Sequence, residues 1–208
     1  MRVHIPLLLK PTQTQADALR ETMNQVNLAT NLVIEVGRDS KVRNPGMLHP
    51  IVYDQIRNQF NLPAQHAVLL LTRVSDCFSH GAFFKQSVDL FSPIPFDDRI
   101  LSFDGAAISI RALQERLHIP FSVSDQHKAA LRYQQGGSWL MFDNENWFLV
   151  ITINTDLIPL EKQPQLIHAC LASGCRLGAR CGGNCSRKSP QLSTTSEKGS
   201  LPAGKGEI

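Results

Sequence analysis

Long hydrophobic runs are missing from this sequence. No stretch of about 18 consecutive apolar residues occurs, which excludes a membrane-spanning helix. The opening residues, MRVHIPLLLKPT, hold only a short apolar run and no small-residue cleavage site, so a signal peptide is not expected. Cysteine is scarce ahead of the C-terminal quarter, where Cys77 stands alone; Cys170, Cys175, Cys181 and Cys185 crowd together near the end. One odd cysteine in an apolar helical stretch, with no export signal, fits a small core residue in a reducing cytoplasm. An excess of positive charge is also missing where a nucleic-acid binder would need it. The formal net charge is +3, but residues 157–208 hold seven Lys/Arg against three Asp/Glu, while residues 1–156 hold 14 against 15. The basicity belongs to the tail, and composition alone gives the first 156 residues little claim on nucleic acid.

What is present begins with residues 48–86. Val52, Ile56 and Phe60 repeat every four residues and predict a helix from His49 to Phe60. Asn61-Leu62-Pro63 interrupts it, and Pro63 suits the first turn of a second helix because its φ is fixed and it has no N–H to satisfy. That helix carries Ala67, Leu71, Val74 and Phe78 on one stripe, with Arg57, Arg73 and Lys85 off the stripes. Before it, Val3, Ile5, Leu7 and Leu9 alternate and predict a strand over 2–9. Thr12-Gln13-Thr14-Gln15 matches a capping box, and the helix it starts places Ala16, Leu19, Met23, Val26 and Val33 on one side and ends near Gly37. Residues 37–47 read as a polar loop with an Asn44-Pro45-Gly46 turn, whose Arg38, Lys41 and Arg43 are either solvated or phosphate contacts.

Phe91-Ser92-Pro93-Ile94-Pro95 reads as a linker into a β-rich segment, with strands expected over 99–103, 106–111, 118–123, 129–133, 138–142 and 146–153. Asp104-Gly105 and Asp143-Asn144-Glu145-Asn146 are the hairpin turns. The strand over 2–9 is an orphan, and its backbone groups need partners. It therefore joins the distant strands. The fold class is α+β: a small antiparallel barrel from 1–10 and 93–156, with helices over 11–92 inserted. Residues 157–208 turn Gly-, Ser-, Pro- and Lys-rich and read as a linker and disordered tail.

Several strings in order carry a resemblance: VYDQIRNQFNLPAQHAV and RVSDCF, then IPFDDRILSF, ISIRAL, RLHIPFSV and GSWLMFDNENWFLVITIN. Over about residues 5–156 the chain resembles the N-terminal part of the TnpB (OrfB) proteins of insertion sequences, RNA-guided nucleases related to type V CRISPR effectors. The resemblance implies an oligonucleotide-binding-like wedge barrel interrupted by a helical recognition module. It implies guide RNA as partner, with target DNA as a second ligand and no membrane. The family's RuvC-like nuclease uses three carboxylates to hold Mg²⁺, the first on a Gly-x-Asp-x-Gly-like strand soon after the barrel. Nothing after Asp156 has that form, and only Glu161, Glu197 and Glu207 follow. No catalytic residue is carried over. The expectation is a truncated, non-hydrolytic, transposon-encoded binder of guide RNA. The alternatives are a non-functional transposon remnant and a regulatory protein–protein module. Residues after about 160 read as foreign to the fold, as a frameshift would produce.

The phosphate-contact candidates are Arg57, Arg73 and Lys85 in the helices and Arg99, Arg111 and Arg116 in the barrel, with Gln65, His66 and again Arg73 as candidate readers of the DNA motif that the resembled family recognises. The competing reading is a solvated charge for each cation and a surface or capping histidine for His66. Trp139, Phe142, Trp147 and Phe148 could stack on bases, although strand alternation suits core packing better. No cofactor is expected. The cysteine spacing C-x₄-C-x₅-C-x₃-C, with His168 nearby, is poor for zinc, which favours C-x₂-C pairs on tight turns, so no metal ligand is assigned.

Overall fold

A computed structural model describes residues 2–79, 87–105, 107–128, 131, 137–154 and 156. It begins with strand β1 (Arg2–Leu9), followed by helices α1 (Gln13–Asp39), α2 (Pro45–Gln59) and α3 (Ala64–Ser79). Strands β2 (Ile94–Phe96), β3 (Leu101–Asp104), β4 (Ala107–Arg111) and β5 (Arg116–Ser122) come next. A short helix α4 (Asp125–Lys128) and the hairpin β6 (Ser138–Asp143) and β7 (Asn146–Asn154) complete the described chain. The strand expected over 129–133 and the cysteine cluster at 170–185 lie outside the described residues, Leu131 apart, as does the tail.

The seven strands form one curled antiparallel half-barrel in the order β2-β6-β7-β1-β5-β4-β3. β1 does find its partners among the distant strands. It runs against β7 from Arg2↔Asn154 to Leu9↔Trp147 and against β5 at Leu8↔Ser122 and Leu9↔Phe121. Alternation explains why: Val3, Ile5, Leu7 and Leu9 all point to the buried face, which Leu149, Ile151 and Ile153 of β7 and Ile119 of β5 share. Buried aliphatics of the sheet and of the three long helices form one continuous cluster.

Thr12 caps α1 as expected, its hydroxyl accepting from Gln15 N–H and the Gln15 amide oxygen accepting from Thr12 N–H. The expected loop over 37–47 is much shorter. α1 continues to Asp39, and Asn44-Pro45-Gly46 is a helix start: the Asn44 side chain accepts from Gly46 N–H at 2.8 Å and Pro45 opens α2. Gly37 lies within α1 because a Cβ there would stand 2.6 Å from Phe78 Cε2, so α1 and α3 approach closely only at a glycine. The expected linker over 91–95 also needs correction, since Ile94-Pro95-Phe96 pairs with β6. A proline is tolerated there because β2 is the outermost strand among the described residues, with only β6 beside it in the ladder.

Asn144 (φ 47°) and Glu145 (φ 66°) join β6 to β7 as a two-residue turn between the paired Asp143 and Asn146. Positive φ at both positions matches the twist of the flanking strands. Asparagine visits this region readily; glutamate pays about 1–2 kcal/mol for it. Glu145 is exposed and points to no partner among the described residues, so Glu145→Gly relieves strain without losing a contact. We expect that variant to be more stable by about 0.5–1 kcal/mol, after the entropy cost of glycine. Urea midpoints of the two proteins measure it, and a lowered midpoint would refute this account of the turn.

Candidate nucleic-acid interface

Five of the eight residues singled out above come together at one end of the sheet, where β4 turns into β5. The turn is short: Ala112 N–H donates to Glu115 O at 2.8 Å, and Leu113 N–H donates to the Thr22 hydroxyl of α1 at 3.2 Å. Arg111 and Arg116 flank it as directly opposed residues, and opposed residues share a face. Ser109 and His118, the next pair on that face, continue it. Arg116 uses both terminal guanidinium nitrogens, Nη1 donating to Ser109 Oγ and Nη2 to the carbonyl of Arg99, each at 3.2 Å.

Arg99 belongs to the turn before β3. Asp97 shapes that turn, its Oδ1 accepting from Arg99 N–H at 3.2 Å. The other carboxylate oxygen accepts from Gln65 Nε2 at 2.5 Å, and Gln65 Oε1 accepts from Arg99 Nη1 at 3.3 Å. The first turn of α3 is thereby tied to the loop that presents Arg99. His66, the next residue, puts Nε2 2.9 Å from the carbonyl oxygen of Arg111 and sets its ring edge-on to Phe96, with centroids 5.1 Å apart. It is 1% exposed, so it is not the surface or capping histidine that its place off the Ala67 stripe suggested. Burial favours its neutral form and holds its pKa below the ordinary value. The nearby Arg111 charge acts the same way, whereas the Arg111 carbonyl and Asp97 oppose it.

The cluster therefore holds three guanidiniums. Among the described residues none of the three has a carboxylate within ion-pair distance. Asp97 is engaged by Gln65, while Asp98 and Glu115 are exposed neighbours in sequence. Like charges directly opposite on a sheet face are unfavourable. An oxyanion placed between Arg111 and Arg116 would relieve that repulsion through charge-assisted hydrogen bonds.

The remaining candidates lie elsewhere. Arg57 is exposed on α2, donates from Nε to Leu62 O at 3.3 Å and stands 5.8 Å from the Tyr53 ring centroid. Arg73 is 8% exposed; Nη1 donates to Asn27 Oδ1 at 3.2 Å and the guanidinium lies over Trp139. His66, Leu70 and Arg73 form a second buried stripe on α3, because that helix packs against α1 and α2 and also against β2. Lys85 is outside the described residues. Of the aromatics, Trp147 is buried against Phe142, and Trp139 and Phe148 are half-buried.

Sequence reasoning missed Asp97 and Ser109, which hold the arginines in place. The Asp97-Asp98 step between strands is the only local signal for either. It also missed Asn27 and Asn31, spaced i, i+4 on α1, whose amides bond the backbone of Val88, Leu90 and Ser92. A polar pair at helical spacing within an apolar stripe is the signal that could have found them. Among the described residues no group of three His, Cys, Asp or Glu side chains is placed to hold a metal ion. Two shallow grooves do not touch the arginine cluster: one of about 290 Å³ between α2 and α3, and one of about 300 Å³ beside Pro6, His127 and Phe148. No helix among the described residues is long and apolar enough to cross a membrane. No protein-family model matches the chain, and no curated protein is significantly similar to it.

Proposed function

We propose that this protein binds RNA through the phosphates, at the Arg99–Arg111–Arg116 end of the sheet, as a TnpB-like chain whose ligand is a structured guide RNA. In this reading the half-barrel is the oligonucleotide-binding-like wedge, α1–α3 are the recognition module inserted into it, and target DNA is the second ligand. The role proposed for these residues is phosphate binding, and no catalytic role is assigned to any of them. The observation that carries the reading is the convergence of three arginines with no carboxylate in ion-pair distance among the described residues. Two further features support it. The family-like strings keep the family's order along the sequence, and β1 returns to the strands that follow the helices.

The test is the salt dependence of binding to a labelled RNA hairpin, read by anisotropy. Each phosphate contact contributes about one counterion, so Arg99→Ala, Arg111→Ala and Arg116→Ala should each lower the salt slope by about one and weaken binding. Arg57→Ala is the comparison on the helical module. An unchanged slope in all three cluster variants refutes this site. A slope reduced only by Arg57→Ala moves the interface to α2. Absence of binding at about 50 mM salt, where phosphate contacts are strong, refutes the function itself.

A further inference from the structure

We propose that His66 acts on the bound nucleic acid through Arg111, as a positioning residue whose protonation loosens the arginine end of the sheet. This rests on the phosphate-binding reading above and goes beyond it by making that binding pH-sensitive in an unusual direction.

The geometry comes first. The carbonyl of Arg111 only accepts, so the neutral imidazole of His66 carries its proton on Nε2 and donates it there at 2.9 Å. Arg111 is the last residue of β4, and its N–H is committed to Ile100 O at 2.9 Å. His66 thus fixes the carbonyl side of the residue whose guanidinium lies opposite Arg116. From β2, Phe96 meets the imidazole in a T-shaped contact. From the loop after β2, Asp97 faces it; from β4, Arg111 does. On its own helix Gln65 bridges Asp97 to Arg99. The charged groups that act on the ring are therefore Asp97 and Arg111, with Arg99 joined to Asp97 through Gln65 and Arg116 opposite Arg111.

The sign follows from burial. An open or unfolded form titrates His66 near its ordinary value of about 6.5, whereas the packed form titrates it lower. Between those two values the open form holds more protons, so the packed arrangement keeps its full stability above about pH 6.5 and loses stability as pH falls below it. General electrostatics runs the other way: acidification adds positive charge and should tighten binding to a polyanion. His4 and His127 are also held below the ordinary value by burial, but both sit away from β4 and affect global stability, not this junction.

Two measurements test this on the full chain. The first is affinity for the RNA hairpin between pH 7.5 and 5.5 at constant salt. The expected result is weakening on acidification by severalfold, bounded by about tenfold per pH unit for one linked proton. His66→Gln keeps a side-chain N–H donor but does not titrate. Whatever its affinity at pH 7.5, it should tighten, not weaken, as pH falls. The second is amide hydrogen exchange at Arg111–Leu113 without RNA, corrected for intrinsic rates. Protection should fall with pH in the parent and stay level in His66→Gln. Equal pH profiles for the parent and His66→Gln in either measurement overturn the proposal. Failure to bind RNA at any pH overturns the phosphate reading and the nucleic-acid half of this proposal together. In that case the exchange experiment alone shows whether His66 governs the end of β4.

Discussion

A chain beginning at Pro11 should show no cooperative unfolding transition. β1 is the middle strand of seven, and its loss leaves β7 and β5 with no strand between them. It runs against β7 over its whole length, so deletion strips that strand of its ladder partner along one side. The core loses Val3, Ile5, Leu7 and Leu9, all buried. Each such side chain contributes about 1.5–3 kcal/mol on burial, which makes roughly 6–12 kcal/mol for the four. A domain of this size has about 5–15 kcal/mol in total. Far-UV circular dichroism in urea should give a sloping trace in place of a sigmoid, and the emission of Trp147, paired with Leu9, should be shifted to that of a solvated indole from the outset. A sigmoid with the parent's m-value would show that the half-barrel closes without its central strand.

The second large effect is expected at Asn27. Its side chain is fully buried, with Nδ2 donating to Leu90 O at 2.9 Å and to Ser92 O at 2.8 Å, and Oδ1 accepting from Arg73 Nη1 at 3.2 Å. Asn27→Ala withdraws a donor from two carbonyls and an acceptor from a mostly buried guanidinium. A buried polar group deprived of its partner costs about 1–3 kcal/mol, more when charged. We therefore expect a loss of about 3–5 kcal/mol at unchanged m-value. Asn27→Asp keeps the acceptor for Arg73 but sets oxygen against oxygen at Leu90 and Ser92, and should also destabilise strongly. Asn31→Ala serves as scale. It is half-buried, holds only Val88, at 2.7 and 3.0 Å, and should cost about 1–2 kcal/mol. If Asn27→Ala costs no more than Asn31→Ala, the segment from Val88 to Ser92 is held by apolar packing and not by this amide.

The two predictions rest on residues of different legibility. β1 was readable by alternation, and the need of an orphan strand for backbone partners pointed to the distant strands that pair with it. The capping box at Thr12 and the Ala67–Phe78 stripe were readable for a similar reason: their signals lie within one or two turns of chain. The 37–47 region misled because glycine, proline and asparagine mark a helix start and a close helix–helix approach as well as a turn. The single stripe on α3 misled because periodicity reports that a face is buried, not how many neighbours a helix has. Burial of His66 and Arg73 followed only when α3 was seen to pack against β2 as well as α1 and α2.

By itself, then, the sequence determined β1, the start of α1, the main stripe of α3, the β6–β7 hairpin, the α+β class and the return of β1 to the later strands, since hydrophobic period, cap chemistry and backbone satisfaction act through neighbouring residues or through an obligatory pairing. Only the tertiary structure decided that Gln65, His66, Arg99, Arg111 and Arg116 share one network. It also decided that Asn27 and Asn31 clamp the segment before β2. Gln65 and Asp97 are 32 positions apart, His66 and Arg111 are 45 apart, and Asn27 and Ser92 are 65 apart. Side-chain hydrogen bonds of that range leave no period in a sequence, because the packing of α3 and α1 against the sheet, not the chain, brings their atoms within reach.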